Sequence, residues 1–182
     1  MEQLINKMNE LQATTFAFYL KAHNFHWNVR GKDFSQLHEF FGDLYTEVWG
    51  AVDTTAEQIR ALGSPVAGAL STYQSQSRIT DETGVPGAAA MIFSLYYDNN
   101  TVVDVLNEAH ELATISKQYG LINFIEGRID THKKHGWMLS ASMDMPVAEQ
   151  VESAADVVEE TTPQETEILT EEVKTYFLNP EQ

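Results

Sequence analysis

The sequence predicts an all-α protein, a four-helix bundle with a long connection between the second and third helices. Apolar residues recur every three or four positions through four long segments, which is the period of an amphipathic helix. A stretch rich in Gly, Pro, Ser and Thr, residues 63–87, separates the second segment from the third. With 182 residues, the chain is long enough for one domain with a sizeable core.

The first two segments predict two long helices joined by a short turn. The first covers residues 3–28, and Gly31 follows it. The second keeps the helical period from Phe34 to Leu62, which predicts one continuous helix of about eight turns. Gly63, Ser64 and Pro65 end it, because this run of residues cannot continue a helix.

The rest of the chain divides into a connection, two helices and a tail. We expect one short helix near residues 67–74, a third long helix over about 86–117 and a fourth over about 121–143. A break between the last two is predicted at Tyr119-Gly120. Residues 1–143 are thus expected to form the helical domain. Residues 144–182 are expected to form an acidic, disordered tail with a short apolar end.

Four potential ligands for a hard metal lie in or near the second helix: His26, His38, Asp53 and Glu57. Asp53 and Glu57 are one helical turn apart and can share a metal. His38 cannot reach them within one chain, because fifteen residues at about 1.5 Å each span roughly 22 Å. Two antiparallel copies of the helix would bring His38 of one chain to the two acids of the other. The spacing therefore predicts a site shared across a dimer interface, with its two-fold axis near residues 46 and 47.

The chemistry of these four residues favours iron. Nitrogen and oxygen ligands without sulfur suit Fe(II), with Zn and Mn as competitors, and the chain has no Cys. Two His and two carboxylates leave positions on the metal where peroxide or dioxygen can bind. The alternative is an ordinary solvated or interface helix face. A di-iron site within one chain is disfavoured, because the Glu-x-x-His motifs that such bundles use are absent from the sequence.

The spacing of these residues resembles that of the Dps miniferritins, the DNA-protection-during-starvation branch of the ferritin-like proteins. The matching positions are Asn24, His26, Trp27, His38, Asp53, Glu57 and residues 59–63. Residues 134–139 resemble the end of the last helix in that family, so the resemblance covers about residues 1–143. It implies a ferritin-like bundle that assembles as two-fold dimers into a hollow shell of twelve chains, with inter-subunit ferroxidase centres.

The resemblance also implies the reaction. Fe(II) would be oxidised with hydrogen peroxide or dioxygen at centres holding one or two irons, and the Fe(III) would be stored as ferric oxide in the cavity. This would protect against oxidative damage. In that family a Trp at the position of Trp27 lies near the iron and takes up stray oxidising equivalents. Trp27 is therefore a candidate catalytic residue, with simple packing at the interface as the alternative.

The charge of the chain departs from that of the DNA-binding members. Net charge is −16, and eleven Asp or Glu against one Lys give residues 144–182 a charge of −10. Such a surface attracts cations and repels phosphate, so we expect weak DNA binding. Two alternatives stay open: a DNA-coating shell whose iron chemistry is secondary, and a scaffold that recruits a partner through its tail.

Two further departures concern the site and the way to it. Many members place an acid four residues after the second ligand His, where this chain has Gly42, so one ligand of a second iron is missing. Acids that commonly line a three-fold pore are also absent from residues 118–123. The sequence has no apolar run long enough to span a membrane, and its start does not read as a signal peptide. We therefore expect a cytoplasmic protein.

Overall fold

The computed structural model describes residues 1–143, which form five α-helices and no strand. The helices are α1 (Glu2–Asn28), α2 (Phe34–Ala61), α3 (Leu70–Gln76), α4 (Ala88–Ile115) and α5 (Tyr119–Ala141). The predicted all-α fold is confirmed: four long helices form the bundle, and the short α3 lies in the connection between α2 and α4. The tail predicted for residues 144–182 lies outside the described residues.

The predicted break between the last two helices is wrong by about two residues. Tyr119 and Gly120 are the first residues of α5, and the chain turns just before them. Lys117 adopts φ +55°, the left-handed conformation that commonly ends a helix. The backbone N–H of Gln118 donates to the carbonyl of Ala113 at 3.0 Å, which closes the end of α4. The prediction placed the break at Gly120, three residues too late, because here Lys117 takes the positive φ.

The core is made by α1 packing on α2 and α4, and by α4 packing on α5. Its largest fully buried side chains come from all four long helices and include Phe18, Phe41, Leu95 and Ile125. Phe34 begins the predicted helical period of α2, but it is 44% exposed because it is the first residue of that helix. The buried residues of α2 that continue this period are Leu37, Phe41, Leu44, Val48, Ala51, Thr55 and Ile59.

Arg78 joins the long connection between α2 and α4 to the bundle through ion pairs. Its guanidinium donates two hydrogen bonds to the carboxylate of Glu108 on α4, at 2.6 and 2.7 Å, and also pairs with Glu10 on α1. Lys7 joins the same two acids at 2.6 Å each. The hydrogen bonds from Arg78 and Lys7 hold the pKa of Glu108 down at about 2. This ion network ties α1, α4 and the connection together.

No helix within residues 1–143 has the length and apolar character needed to cross a bilayer. The cytoplasmic location stays a prediction.

Candidate metal centre

A tight turn between α1 and α2 brings the two histidines together. His26 lies in the last turn of α1, and His38 lies five residues into α2. Between the helices, Gly31 adopts φ +122°, a conformation that side-chain-bearing residues rarely take. Val29 is 3% exposed and anchors the turn to the core. The two imidazole rings consequently stack, with centroids 3.8 Å apart and an angle of 22° between their planes.

The two rings also hold each other through the backbone. Nδ1 of His26 lies 2.7 Å from the carbonyl oxygen of His38, and Nδ1 of His38 lies 2.8 Å from the carbonyl oxygen of His26. A carbonyl oxygen only accepts, so each neutral ring must carry its proton on Nδ1 and donate it. Both Nε2 atoms are then left with a free lone pair. This is the arrangement that fixes the orientation of a metal-binding histidine.

Gly42 faces this histidine pair from the next turn of α2. A Cβ atom at Gly42 would lie 3.2 Å from both Cε1 and Nδ1 of His26, closer than ordinary van der Waals contact. Any side chain at residue 42, including the acid that many family members carry there, would press on the His26 ring. Glycine at this position leaves room for the ring in its observed orientation.

The two candidate carboxylates lie at the other end of the same helix. α2 is continuous from Phe34 to Ala61, so His38 is about 22 Å along the axis from Asp53. Asp53 and Glu57 are both exposed. Within residues 1–143, no group of three or more His, Asp or Glu side chains of a single chain could hold a metal ion. The assignment of the four residues as ligands stays a prediction, and it requires a second chain.

Aromatic side chains adjoin the histidine pair on one side, and the sequence reading did not single out most of them. Tyr45 of α2 lies 5.2 Å from the His26 ring and stacks on His23 at 3.8 Å, with 14° between their planes. Tyr19 lies 4.9 Å from Trp49, and its hydroxyl is 3.2 Å from Nδ1 of His23. All the distances between rings are measured between centroids. We call Tyr19, His23, Trp27, Tyr45 and Trp49 the aromatic cluster.

Trp27, the candidate catalytic residue, belongs to this cluster. Its side chain is 60% exposed, and its ring lies 4.0 Å from that of His23. Helical spacing contained the signal for the cluster, since its members recur at intervals of four on α1 and on α2. The pattern alone did not reveal which face of α2 meets which face of α1.

A second group of polar residues fills the middle of the bundle. His132 is fully buried and exchanges hydrogen bonds with Asn99, each at 2.9 Å. Its Nε2 accepts from Arg128 at 3.0 Å, and Arg128 also pairs with Glu47 of α2. Burial lowers the pKa of His132 well below its usual value and lowers that of His135 to about 4. Both side chains are buried and stay neutral, which suits a structural role in the bundle.

Comparison with known proteins places this architecture in a family. The ferritin-like domain family matches residues 5–146. A "DNA protection during starvation protein" from Brevibacillus brevis is 34% identical over 137 residues, which cover 75% of this chain and 92% of that protein. The chain belongs to the Dps family of ferritin-like proteins. The resemblance found in the sequence is confirmed.

Solved Dps structures agree with the fold over the same region. Dps from Staphylococcus aureus superposes with a TM-score of 0.77 at 29% identity, covering 80% of this chain and 98% of that one. A Vibrio cholerae Dps, described as a member of a superfamily of ferritin-like diiron-carboxylate proteins, gives a TM-score of 0.74 at 27% identity. It covers 77% of this chain and 88% of that one. The Dps fold thus accounts for the five helices and their order.

Proposed function

We propose that this Dps protein is a ferroxidase whose substrate, Fe(II), binds between two chains. His26 and His38 of one protomer would supply two nitrogen ligands, and Asp53 and Glu57 of the other would supply the carboxylates. The observation that supports this most strongly is the reciprocal histidine pair. Two stacked rings with both Nδ1 atoms tied to backbone leave two Nε2 lone pairs free, which is the state in which a neutral imidazole binds a metal.

The surface of α2 supports an antiparallel pairing of two copies. Between the histidine end and the acidic end, the exposed side of the helix carries Thr46 and Gly50. A Cβ atom at Gly50 would meet nothing within 4 Å, so a second helix can approach closely there. An axis near residue 46 places His38 opposite Asp53 and Glu57 of the partner, and it generates two equivalent centres. Assembly of such dimers into a shell of twelve chains belongs to the same proposal.

Each ligand type has a distinct task in the oxidation. The two imidazoles hold Fe(II) as neutral donors, and the two carboxylates offset the added charge when Fe(III) forms. Peroxide is a two-electron oxidant, so two Fe(II) ions give one electron each while its O–O bond breaks, and two protons are taken up to form two waters. The net charge of −16 favours the accumulation of cations around the shell.

Anaerobic loading with Fe(II), followed by peroxide or oxygen, tests this function. We expect ferric absorbance to grow much faster than in buffer, faster with peroxide than with oxygen, in a particle of shell size that stays in solution. Light scattering on the same sample gives the particle size. Oxidation no faster than in buffer, in a particle of the same size, would contradict the ferroxidase proposal and leave the fold standing.

A DNA-coating shell is the second candidate, and the name of the Brevibacillus brevis relative favours it. The charge of this chain opposes it, because nonspecific DNA binding rests on Lys and Arg displacing counterions from phosphates. The chain has eleven such residues against twenty-seven acids. A gel shift at low salt and neutral pH separates the two candidates: strong retention of DNA would favour the shell that coats it.

A further inference from the structure

A groove of about 460 Å³ lies between the start of α2, the start of α4 and the end of α5. Leu37 and Ile92, which are buried, and Phe40 supply much of its apolar lining. Trp137 also lines the groove and is 67% exposed. The polar residues that line it are Asp33, Gln36 and Ser142. A large aromatic side chain left in solvent beside an apolar groove is typical of a surface that binds another segment of protein.

Exposed cations flank this groove on two sides. Arg30 and Lys32 lie in the turn that leads into α2, and both are exposed. Lys133 and Lys134, also exposed, precede Trp137 by four and three residues, so they lie one turn before it on the same side of α5. In a chain whose acids outnumber its cations, such a grouping favours a ligand that combines negative charge with an apolar anchor.

The last part of the tail has this composition. We call residues 173–178 the tail end, and its apolar side chains are Val173, Tyr176, Phe177 and Leu178. Two acids directly precede the tail end, at positions 171 and 172, and another follows at position 181. An apolar segment between acids complements an apolar groove between cations, because each kind of group meets its counterpart.

The chain is long enough to bring the tail end to the groove. The tail begins just beyond Ser142, which itself lines the groove. Residues 143–172 separate Ser142 from the tail end, and thirty extended residues span up to about 100 Å. A covalent tether keeps its end at an effective concentration on the order of a millimolar. A weak contact is therefore enough to fill the groove.

We propose that the tail end of this protein binds in the groove, with its aromatic rings against Trp137 and its flanking acids beside the exposed cations. The occupant is thus a segment of this protein and not a separate partner. Once bound, the tail end covers the exposed indole and removes apolar surface from water. Its acids also compensate Lys133, Lys134 and the two cations before α2, which leaves fewer cations for the phosphates of DNA.

Photo-cross-linking of the full-length protein tests this proposal. The chain is produced with p-benzoylphenylalanine at position 177 and irradiated at low salt, and its cross-linked peptides are identified by mass spectrometry. We expect cross-links to residues 36–40 of α2 and 137–142 of α5, with a yield that falls several-fold at high salt because exposed charges contribute. Cross-links only to other surfaces of the protein, only to other proteins, or none at all would overturn the proposal.

Substitutions in the groove then show what holds the tail end there. Trp137→Ala should reduce the cross-link to α2 several-fold, because it removes an aromatic contact. Tyr119→Ala is the matched control: Tyr119 lies at the other end of α5 and is 74% exposed, and its removal should leave the yield unchanged.

The double charge reversal Lys133→Glu/Lys134→Glu keeps the apolar lining of the groove and should also reduce the yield several-fold. Equal yields in the wild-type, Trp137→Ala and charge-reversed proteins, each with the wild-type helix content by circular dichroism, would overturn the proposal. Neither readout involves Fe(II) oxidation, so such a result would leave the ferroxidase proposal standing.

Discussion

His26 and His38 fix one another: each donates its Nδ1 proton to the backbone carbonyl of the other, at 2.7 and 2.8 Å, while their rings stack. The pair ties the end of α1 to the start of α2 and sets the tautomer of both rings at once. Each ring is oriented by the other residue, so the two act as a unit.

Replacing His38 with Ala should abolish fast Fe(II) oxidation while the helices stay folded. The substitution removes one ligand and also frees the ring of His26 from its stacking partner. The double variant His26→Ala/His38→Ala should therefore be no slower than either single variant, because residues that act as a unit are not additive. Stopped-flow ferric absorbance gives the rates, and far-ultraviolet circular dichroism gives the helix content.

His110→Ala is the matched control for this experiment. His110 lies on α4, and its Nε2 contacts Glu126 at 3.2 Å, away from the histidine pair. The His110→Ala protein should oxidise Fe(II) at the wild-type rate. A His38→Ala protein that kept the wild-type rate would show that the assigned ligands are wrong.

Gly42→Ala should slow oxidation although it adds only a methyl group. The new Cβ would lie 3.2 Å from two atoms of the His26 ring, so the ring must shift from the position that its hydrogen bond sets. Gly127→Ala on α5 is the comparison, because a Cβ there meets nothing within 4 Å. Both changes should stabilise a helix by roughly 0.5–1 kcal/mol from propensity alone. Only Gly42→Ala should lose rate in stopped-flow, and equal rates for the two variants would remove the glycine from the account.

Acid should destabilise the bundle through its buried histidines. The folded-state pKa of His135 is lowered to about 4, and that of His132 lies well below 6.5. The unfolded chain takes up these protons near pH 6.5 and the folded chain does not, so protonation favours the unfolded state. The free energy of unfolding is therefore undiminished above pH 6.5 and decreases as the pH falls below it. For His135 the loss between pH 6.5 and about 4 is on the order of 3 kcal/mol.

Urea unfolding at a series of pH values measures this slope. His135→Gln, which does not titrate, should flatten the fall in unfolding free energy over the same interval. A variant as acid-sensitive as the wild-type protein would place the effect elsewhere, on groups other than His135.

Much of the fold could be predicted from the sequence, because the spacing of apolar residues and the residues that end helices act locally. The apolar period predicted α1 and α2 to within about a residue at most ends. The break before α5 was predicted slightly too late because Lys117, a residue with no special preference for a positive φ, adopts one. Phe34 begins the predicted helical period but is exposed, because periodicity does not show where a helix first contacts its neighbours.

The candidate site could be predicted in part. The part that could not be predicted depends on contacts between helices. Spacing along one rod showed that His38 and Asp53 cannot meet within a chain, which is a matter of length alone. The stacking of Tyr45 on His23 depends on the rotation of α2 against α1, which no single helix encodes. The tautomers of the histidine pair depend on carbonyl groups twelve residues away and needed coordinates.

Complementation between two inactive variants tests the central claim, that the centre is shared between chains. A His38→Ala chain paired with an Asp53→Ala chain has one centre with both defects and one fully wild-type centre. Co-expressed at equal levels and pairing at random, the two should recover about a quarter of the wild-type oxidation, although each alone is inactive. No recovery in a co-assembled particle, purified through a different tag on each chain, would contradict the inter-subunit centre.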